Sequence, residues 1–238
     1  MIRAVIFDID NTLYDYDRAH AAGMEALCAY AKAQLGWSKE RFLQEYASVM
    51  REIRARAGEV STIHNRIIRF GYMLEKNGLP LHPYALGMCD TYWRKMVDSI
   101  ERVPGTDLVL RSLGQSGFRV GIGTDMTAYI QMRKLDRLGL LAYIDFVVSS
   151  EEAGIEKPSE GLFRLCAQKA GCGVEECLFV GDSLEKDYLG AIASGMQAAW
   201  FVPDHKSESA QKKITGKKLE SVRIIRDLKE IPDMVKEL

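Results

Sequence analysis

The spacing of apolar and polar positions changes twice along this chain. Near the start, Ala4, Val5, Ile6 and Phe7 form an unbroken apolar run, and residues 2–8 read as a buried strand. From about Asp17 to Ile100 the spacing becomes helical. Ala22, Leu27, Tyr30 and Ala31 make one stripe, and Phe42, Tyr46, Val49, Met50 and Ile53 a second. Ile67, Phe70 and Leu74 make a third, stopped by Leu79 and Pro80, and Leu86 to Val97 carry a fourth. After Val103, Pro104 and Gly105 the two periods alternate. Helices are expected over 106–113 (ended by Gly114), 128–138 (ended by Gly139), 160–170 and 184–194 (stopped by Gly195). Strands are expected over 118–123, 143–148, 177–180 and 198–202. The polar stretch 204–217, with Lys212, Lys213, Lys217 and Lys218 at its end, reads as a solvated loop or short helix. An edge strand over 221–225 and a tail helix from Pro232 close the pattern.

Strands alternating with helices of this length imply right-handed βαβ crossovers. The expected fold class is therefore α/β, a Rossmann-like doubly wound parallel sheet with an inserted all-helical domain. The expected division is 1–14 with 101–238 for the α/β part and 15–100 for the insertion. A length of 238 residues suits such a pair, and 47% hydrophobic residues support a core that 27% charged residues can cover. Lys and Arg (32) nearly balance Asp and Glu (33), for a net charge of −1, which argues against nucleic acid and membrane surfaces as partners. No apolar run is long enough to span a bilayer, and the N-terminus goes directly into a strand without a signal-peptide layout. Five cysteines (Cys28, Cys89, Cys166, Cys172, Cys177) match no zinc spacing, and reduced thiols in a cytoplasmic protein are expected.

In an open parallel sheet, ligands bind beyond the carboxyl ends of the strands, and four polar clusters fall there. Asp8 and Asp10 end the first strand. Thr124 follows the 118–123 strand, Lys157 lies in the connection after 143–148, and Asp182, Ser183 and Asp187 follow the 177–180 strand. Together they supply the parts that phosphoryl transfer needs. Asp8 suits a nucleophile that forms an aspartyl-phosphate, and Asp10 a general acid and then base. Thr124 offers a hydroxyl beside backbone N–H groups, and Lys157 a fixed positive charge. Asp182 and Asp8 could hold Mg²⁺, with Asp187 steadying a metal-bound water or orienting Lys157. Each cluster also has a plainer reading. Asp8 and Asp10 with Asn11 and Thr12 can form a turn, Thr124 and Asp182 or Ser183 can cap helices, and Lys157 can face solvent.

The order and placement of D-x-D-N-T-L, strand–Thr-Asp, Lys-Pro and G-D-S-x-x-x-D resemble the four motifs of the haloacid dehalogenase superfamily. The likeness covers about 1–14 and 104–203, and the helical block is similar to that superfamily's cap, inserted after the first motif. The resemblance implies Asp8 as nucleophile and Asp10 as acid/base. It implies that Thr124 and Lys157 bind the phosphoryl group. It also implies that Mg²⁺ is ligated by Asp182, the Asp8 carboxylate and the Asp10 backbone carbonyl, with Asp187 and Ser183 in support. The second motif departs slightly, since Thr124-Asp125-Met126 stands where Thr-Asn-Gly is common, so a backbone contribution to the phosphate site is expected of Asp125. Members that cleave carbon–halogen bonds lack the second Asp, so Asp10 argues for phosphate esters.

The expected activity is a Mg²⁺-dependent phosphatase acting on a small phosphorylated metabolite, a nucleotide or sugar phosphate, as monomer or homodimer. A phosphomutase, a dehalogenase or a catalytically silent binding protein are the alternatives. In the helical block, Arg54 to Arg69 hold the densest set of basic and amide groups. His64, Arg66 and Arg69 are candidates to meet an anionic or polyhydroxylated substrate, against the reading that they are simply a solvated helix face.

Overall fold

The first apolar run becomes β1 (Ala4–Phe7), buried along its whole length. The chain then enters four helices: α1 (Tyr16–Leu35), α2 (Lys39–Ala57), α3 (Arg66–Lys76) and α4 (Tyr84–Asp98). In this computed structural model, which describes residues 1–58, 61–210, 212 and 222–238, the helices form one unit, Tyr16–Glu101. Met1–Asp15 and Arg102–Leu238 form the other. Local signals set the helix ends. Ser38 accepts from Arg41 N–H at the start of α2, and Asn65 from Ile67 N–H at the start of α3. Gly58 closes α2 at φ 73°. Close approach within the bundle needs glycine at position 23, where a Cβ would lie 2.8 Å from the Tyr92 ring of α4.

The second unit has the alternating pattern: α5 (Thr106–Gln115), β2 (Arg119–Thr124), α6 (Ala128–Arg137), β3 (Phe146–Ser149), the single turn α7 (Ser150–Ala153) and α8 (Glu160–Ala170). There follow β4 (Cys177–Gly181), a π-helical turn (Leu184–Leu189), α9 (Gly190–Ala193), β5 (Gln197–Phe201) and β6 (Ile224–Ile225). A tail helix spans Ile231–Glu237. The six strands are parallel in the order β3-β2-β1-β4-β5-β6, the doubly wound sheet that the alternation implies. β1 therefore lies between β2 and β4, which brings the ends of three motif-bearing strands side by side. Ile6, Phe179, Phe163, Cys166 and Ala198 belong to a buried cluster against one face.

Several local expectations are corrected. α5 runs through Gly114, and Gly117, at φ 87°, makes the turn. β3 starts late because Leu141–Tyr143 form a 3-10 turn. The helix expected over 184–194 opens as a π-helix, with Tyr188 N–H donating to Ser183 O across five residues. Of the polar stretch 204–217, Asp204–Lys206 form a 3-10 turn. Residues 211 and 213–221, with Lys213, Lys217, Lys218 and the start of the expected edge strand, lie outside the described residues. All five cysteines are free thiols. No helix among the described residues is long and apolar enough to cross a membrane.

Candidate active site

The chain turns immediately after β1. Asp8 N–H still pairs with Val180 O of β4 at 2.9 Å, so the Asp8 side chain leaves from a fixed strand end. Thr12 and Leu13 N–H both return to Ile9 O, and Asn11 takes φ 62°, a left-handed conformation that Asn tolerates. Asp8 thus precedes a tight turn that begins at Ile9, and Asp10 sits within it. Asp8 is 6% exposed.

Lys157, 4% exposed, meets Asp8. Its ammonium donates to Asp8 Oδ1 at 2.7 Å, to Asp187 Oδ1 at 2.6 Å and to Gly123 O at 3.2 Å, which engages all three of its hydrogens. Asp187 is brought there by the π-helical turn. Ser183 Oγ caps the turn by accepting from Lys186 N–H, and Ser183 N–H donates to Asp187 Oδ2 at 2.9 Å. Gly181 is required by this arrangement, because a Cβ at that position would overlap the Asp187 carboxylate. The Trp200 indole donates to Asp182 O at 2.7 Å and fixes the backbone from which that carboxylate projects.

Oxygens of Asp8, Asp182 and Asp187 lie within 4.8 Å of one another. Three carboxylates around one buried ammonium leave a surplus of negative charge, and the protonation behaviour reflects it. Burial pushes the Asp8 carboxyl well up, opposed by Lys157 and reinforced by Asp187. Burial, then Asp187, raises Asp182 to about 7. For Lys157, burial favours the neutral amine, but Asp187 and Asp8 outweigh it and hold the ammonium charged. Hard oxygen ligands with unmatched charge suit a small divalent cation.

Thr124, almost fully buried, accepts from Gln131 Nε2 at 2.7 Å. A backbone contribution is expected of Asp125, yet its carboxylate is fully engaged. Oδ1 accepts from Lys157 N–H at 3.0 Å, and Oδ2 pairs with Lys186 at 2.8 Å, which also reaches Glu156. The structure therefore brings Asp8, Asp182, Asp187, Lys157 and Asp125 into one bonded or closely spaced group, with Thr124 beside Asp125. His64, Arg66 and Arg69 lie in the helical unit, on the turn Ser61–His64 and on α3.

A family model for haloacid dehalogenase-like hydrolases matches residues 2–195. The chain belongs to this family. It is 36% identical over 241 residues to the ribulose-1,5-bisphosphate 5-phosphatase of Halopiger xanaduensis, covering 99% of this chain and 100% of that one. It is 31% identical over 236 residues to the glyceraldehyde 3-phosphate phosphatase of Methanothermobacter thermautotrophicus, covering 99% and 100%. Among solved structures, a HAD phosphatase from Thermococcus onnurineus superposes with a TM-score of 0.72 at 24% identity over 98% of each chain, a likeness of fold.

Sequence reasoning missed the surroundings of Asp10 in this hydrolase. Lys134, with no exposed side-chain surface, donates to Asp10 Oδ1 at 2.7 Å and Oδ2 at 3.0 Å. The Tyr14 hydroxyl donates to the same Oδ1. Gln131 and Lys134 stand three apart on α6 and so share a face, one reaching the Thr124 loop and the other the Asp10 loop. Among the missed residues, Lys134 is the one whose positive charge pairs directly with the Asp10 carboxylate.

Proposed function

We propose that this hydrolase cleaves phosphomonoesters of small metabolites through an aspartyl-phosphate on Asp8. The observation that carries the reading is the division of labour between two carboxylates two residues apart. Asp8 is buried in a bonded group with Lys157, while Asp10 is held separately by Lys134 and Tyr14. A phosphoryl acceptor must be ionised and in line, and Lys157 aims Asp8 and opposes the burial that favours its neutral form. A carboxyl that hands a proton to the leaving oxygen must be oriented without being tied to the same cation, and Asp10 meets that need.

In the first step an Asp8 carboxylate oxygen bonds to phosphorus and the P–O bond to the leaving group breaks, while the Asp10 proton passes to the leaving oxygen and gives the alcohol. In the second step water attacks the phosphorus and Asp10 takes its proton. The bond between the Asp8 oxygen and phosphorus breaks, releasing phosphate and restoring the Asp8 carboxylate and the protonated Asp10. Thr124 and the backbone of its loop receive phosphoryl oxygens. A magnesium ion fits the surplus negative charge at Asp8 and Asp182, with the Asp10 carbonyl as a further oxygen and Asp187 and Ser183 in support. When bound it would neutralise charge on the phosphoryl oxygens.

The names of the two relatives that align along their full length, a ribulose bisphosphate phosphatase and a glyceraldehyde phosphate phosphatase, support sugar phosphates as the substrate class. Hydrolysis of p-nitrophenyl phosphate and of a sugar phosphate panel, with and without Mg²⁺, tests the reading. Asp8→Asn is expected to lose roughly 10³-fold or more in kcat and to leave no acid-stable phosphoenzyme. Phosphate release by Asp8→Asn at the parental rate would refute the assignment.

A further inference from the structure

α3 buries two arginines on the stripe that also carries Phe70, Met73 and Leu74. Arg66 is 5% exposed and Arg69 2%. A buried guanidinium ordinarily meets a carboxylate, because its desolvation is otherwise uncompensated. Here every hydrogen-bond partner among the described residues is neutral, and the rings of Tyr92 and Trp93 over Arg66 and of Tyr46 over Arg69 offer only cation–π contacts. Arg66 donates to His64 O at 3.2 Å and, at 3.3 and 3.5 Å, to the hydroxyls of Tyr92 and Tyr16. Arg69 donates to Ile63 O at 2.5 Å and to the Tyr46 hydroxyl. Neither arginine has an ion pair among the described residues, and Nε of each has no hydrogen-bond partner. Two guanidinium groups carry ten N–H donors, and the hydrogen bonds they make among the described residues number five.

The neighbours respond to this unmatched charge. Burial, then Arg66, lowers Arg69 to about 10. Burial, then Arg66 and Arg69, holds His20 down at about 4, and its Nδ1 shares a hydrogen bond with the Tyr92 hydroxyl 2.7 Å away. The Tyr46 hydroxyl, while accepting from Arg69, keeps its own O–H to give.

We infer that Arg66 and Arg69 form an oxyanion-binding site in the helical unit, built for a phosphate or carboxylate group. Paired planar forks with free Nε–H groups match the oxygens of such an anion, and a compact ammonium would not do so equally well. The anion is either a second charged group of the substrate or a free ion such as inorganic phosphate. The first source rests on the phosphatase reading, and the second does not.

The test uses the full chain and inorganic phosphate at constant ionic strength, without divalent cation, so that the acidic cluster of the other unit disfavours phosphate there. Phosphate is expected to raise the Tm of the parent. In Arg66→Met/Arg69→Met its apparent affinity is expected to weaken about 30-fold or more. Should that variant not fold, Arg69→Lys, which keeps the charge but loses the fork, is expected to show a reduced shift. No phosphate-dependent rise in the parent, or the same rise in the variants, overturns the site. A kinetic arm then separates the sources through the ratio of kcat/KM for a hexose bisphosphate to that for the matching monophosphate. A fall in this ratio in the arginine variants identifies the substrate's second anionic group. An unchanged ratio with a lost Tm response identifies a free ion. Failure of the parent to hydrolyse p-nitrophenyl phosphate would count against the phosphatase reading alone, because the Tm arm does not depend on it.

Discussion

Replacing Lys134 by Met removes the ammonium that donates to both oxygens of Asp10 and leaves a side chain of similar length in the same place. The effect on folding should be small. Lys134 is fully buried while Asp10 keeps 26% of its side chain exposed, so losing the desolvation of a buried cation offsets much of the lost pairing, with a net change of about 1 kcal/mol. The effect on chemistry should be selective. If Lys134 acts by aiming Asp10 at the leaving oxygen, its loss hurts reactions in proportion to their need for that proton. General acid catalysis contributes about 10²–10⁴-fold, and Tyr14 still holds Oδ1 in the variant, so kcat/KM on an alkyl phosphate is expected to fall about 10²-fold. For 2,4-dinitrophenyl phosphate, whose leaving group departs without a proton, the fall is expected to stay within about threefold. The assay is a series of phosphate esters of graded leaving-group basicity, with kcat/KM measured for the parent, Lys134→Met, Tyr14→Phe and the double variant. The two single substitutions should couple, because both act on one carboxylate. A uniform fall across the series would refute the argument and place Lys134 in general support of the fold or of the phosphoryl group.

Two further outcomes are expected. Gly181→Ala drives a Cβ into the Asp187 carboxylate, which is bonded to Lys157, so kcat should fall about 10–100-fold and stability by about 1–3 kcal/mol. Gly114→Ala, which meets open space, should cost nothing, and parental kcat and Tm for Gly181→Ala would show that Asp187 moves freely. For His20 the folded value near 4 lies below the unfolded value near 6.5, so between them the unfolded chain binds a proton that the native one does not. Its contribution to stability is complete above pH 6.5 and is lost as pH falls toward 4. Denaturant titrations should show His20→Gln less sensitive than the parent to that change, and parallel profiles would refute the assignment.

The four motif clusters were legible because each follows a strand that its own neighbours specify. Ala4 to Phe7 fix β1, and the turn chemistry of Asn11 then sets Asp8 and Asp10 at its end. Parallel pairing of β1 with β2 and β4 does the rest, since sheet order turns sequence-distant strand ends into neighbours. The residues whose type hides their place share a different property. On α6 and its C-cap the positions 131, 134, 135 and 138 have the spacing of a buried stripe, and on α3 so do 66, 69, 70, 73 and 74. In both helices the first two positions of the stripe are polar or charged. Residue type says solvent and periodicity says interior, and periodicity prevailed in both. A long cation on an apolar stripe is tolerable only where something answers its charge, and nothing in its own helix reveals what. For Lys134 the answer is Asp10, 124 residues away in sequence. For Arg66 and Arg69 no carboxylate among the described residues supplies it. The rings of Tyr92, Trp93 and Tyr46 answer part of it, and the anion inferred above for α3 would answer the rest.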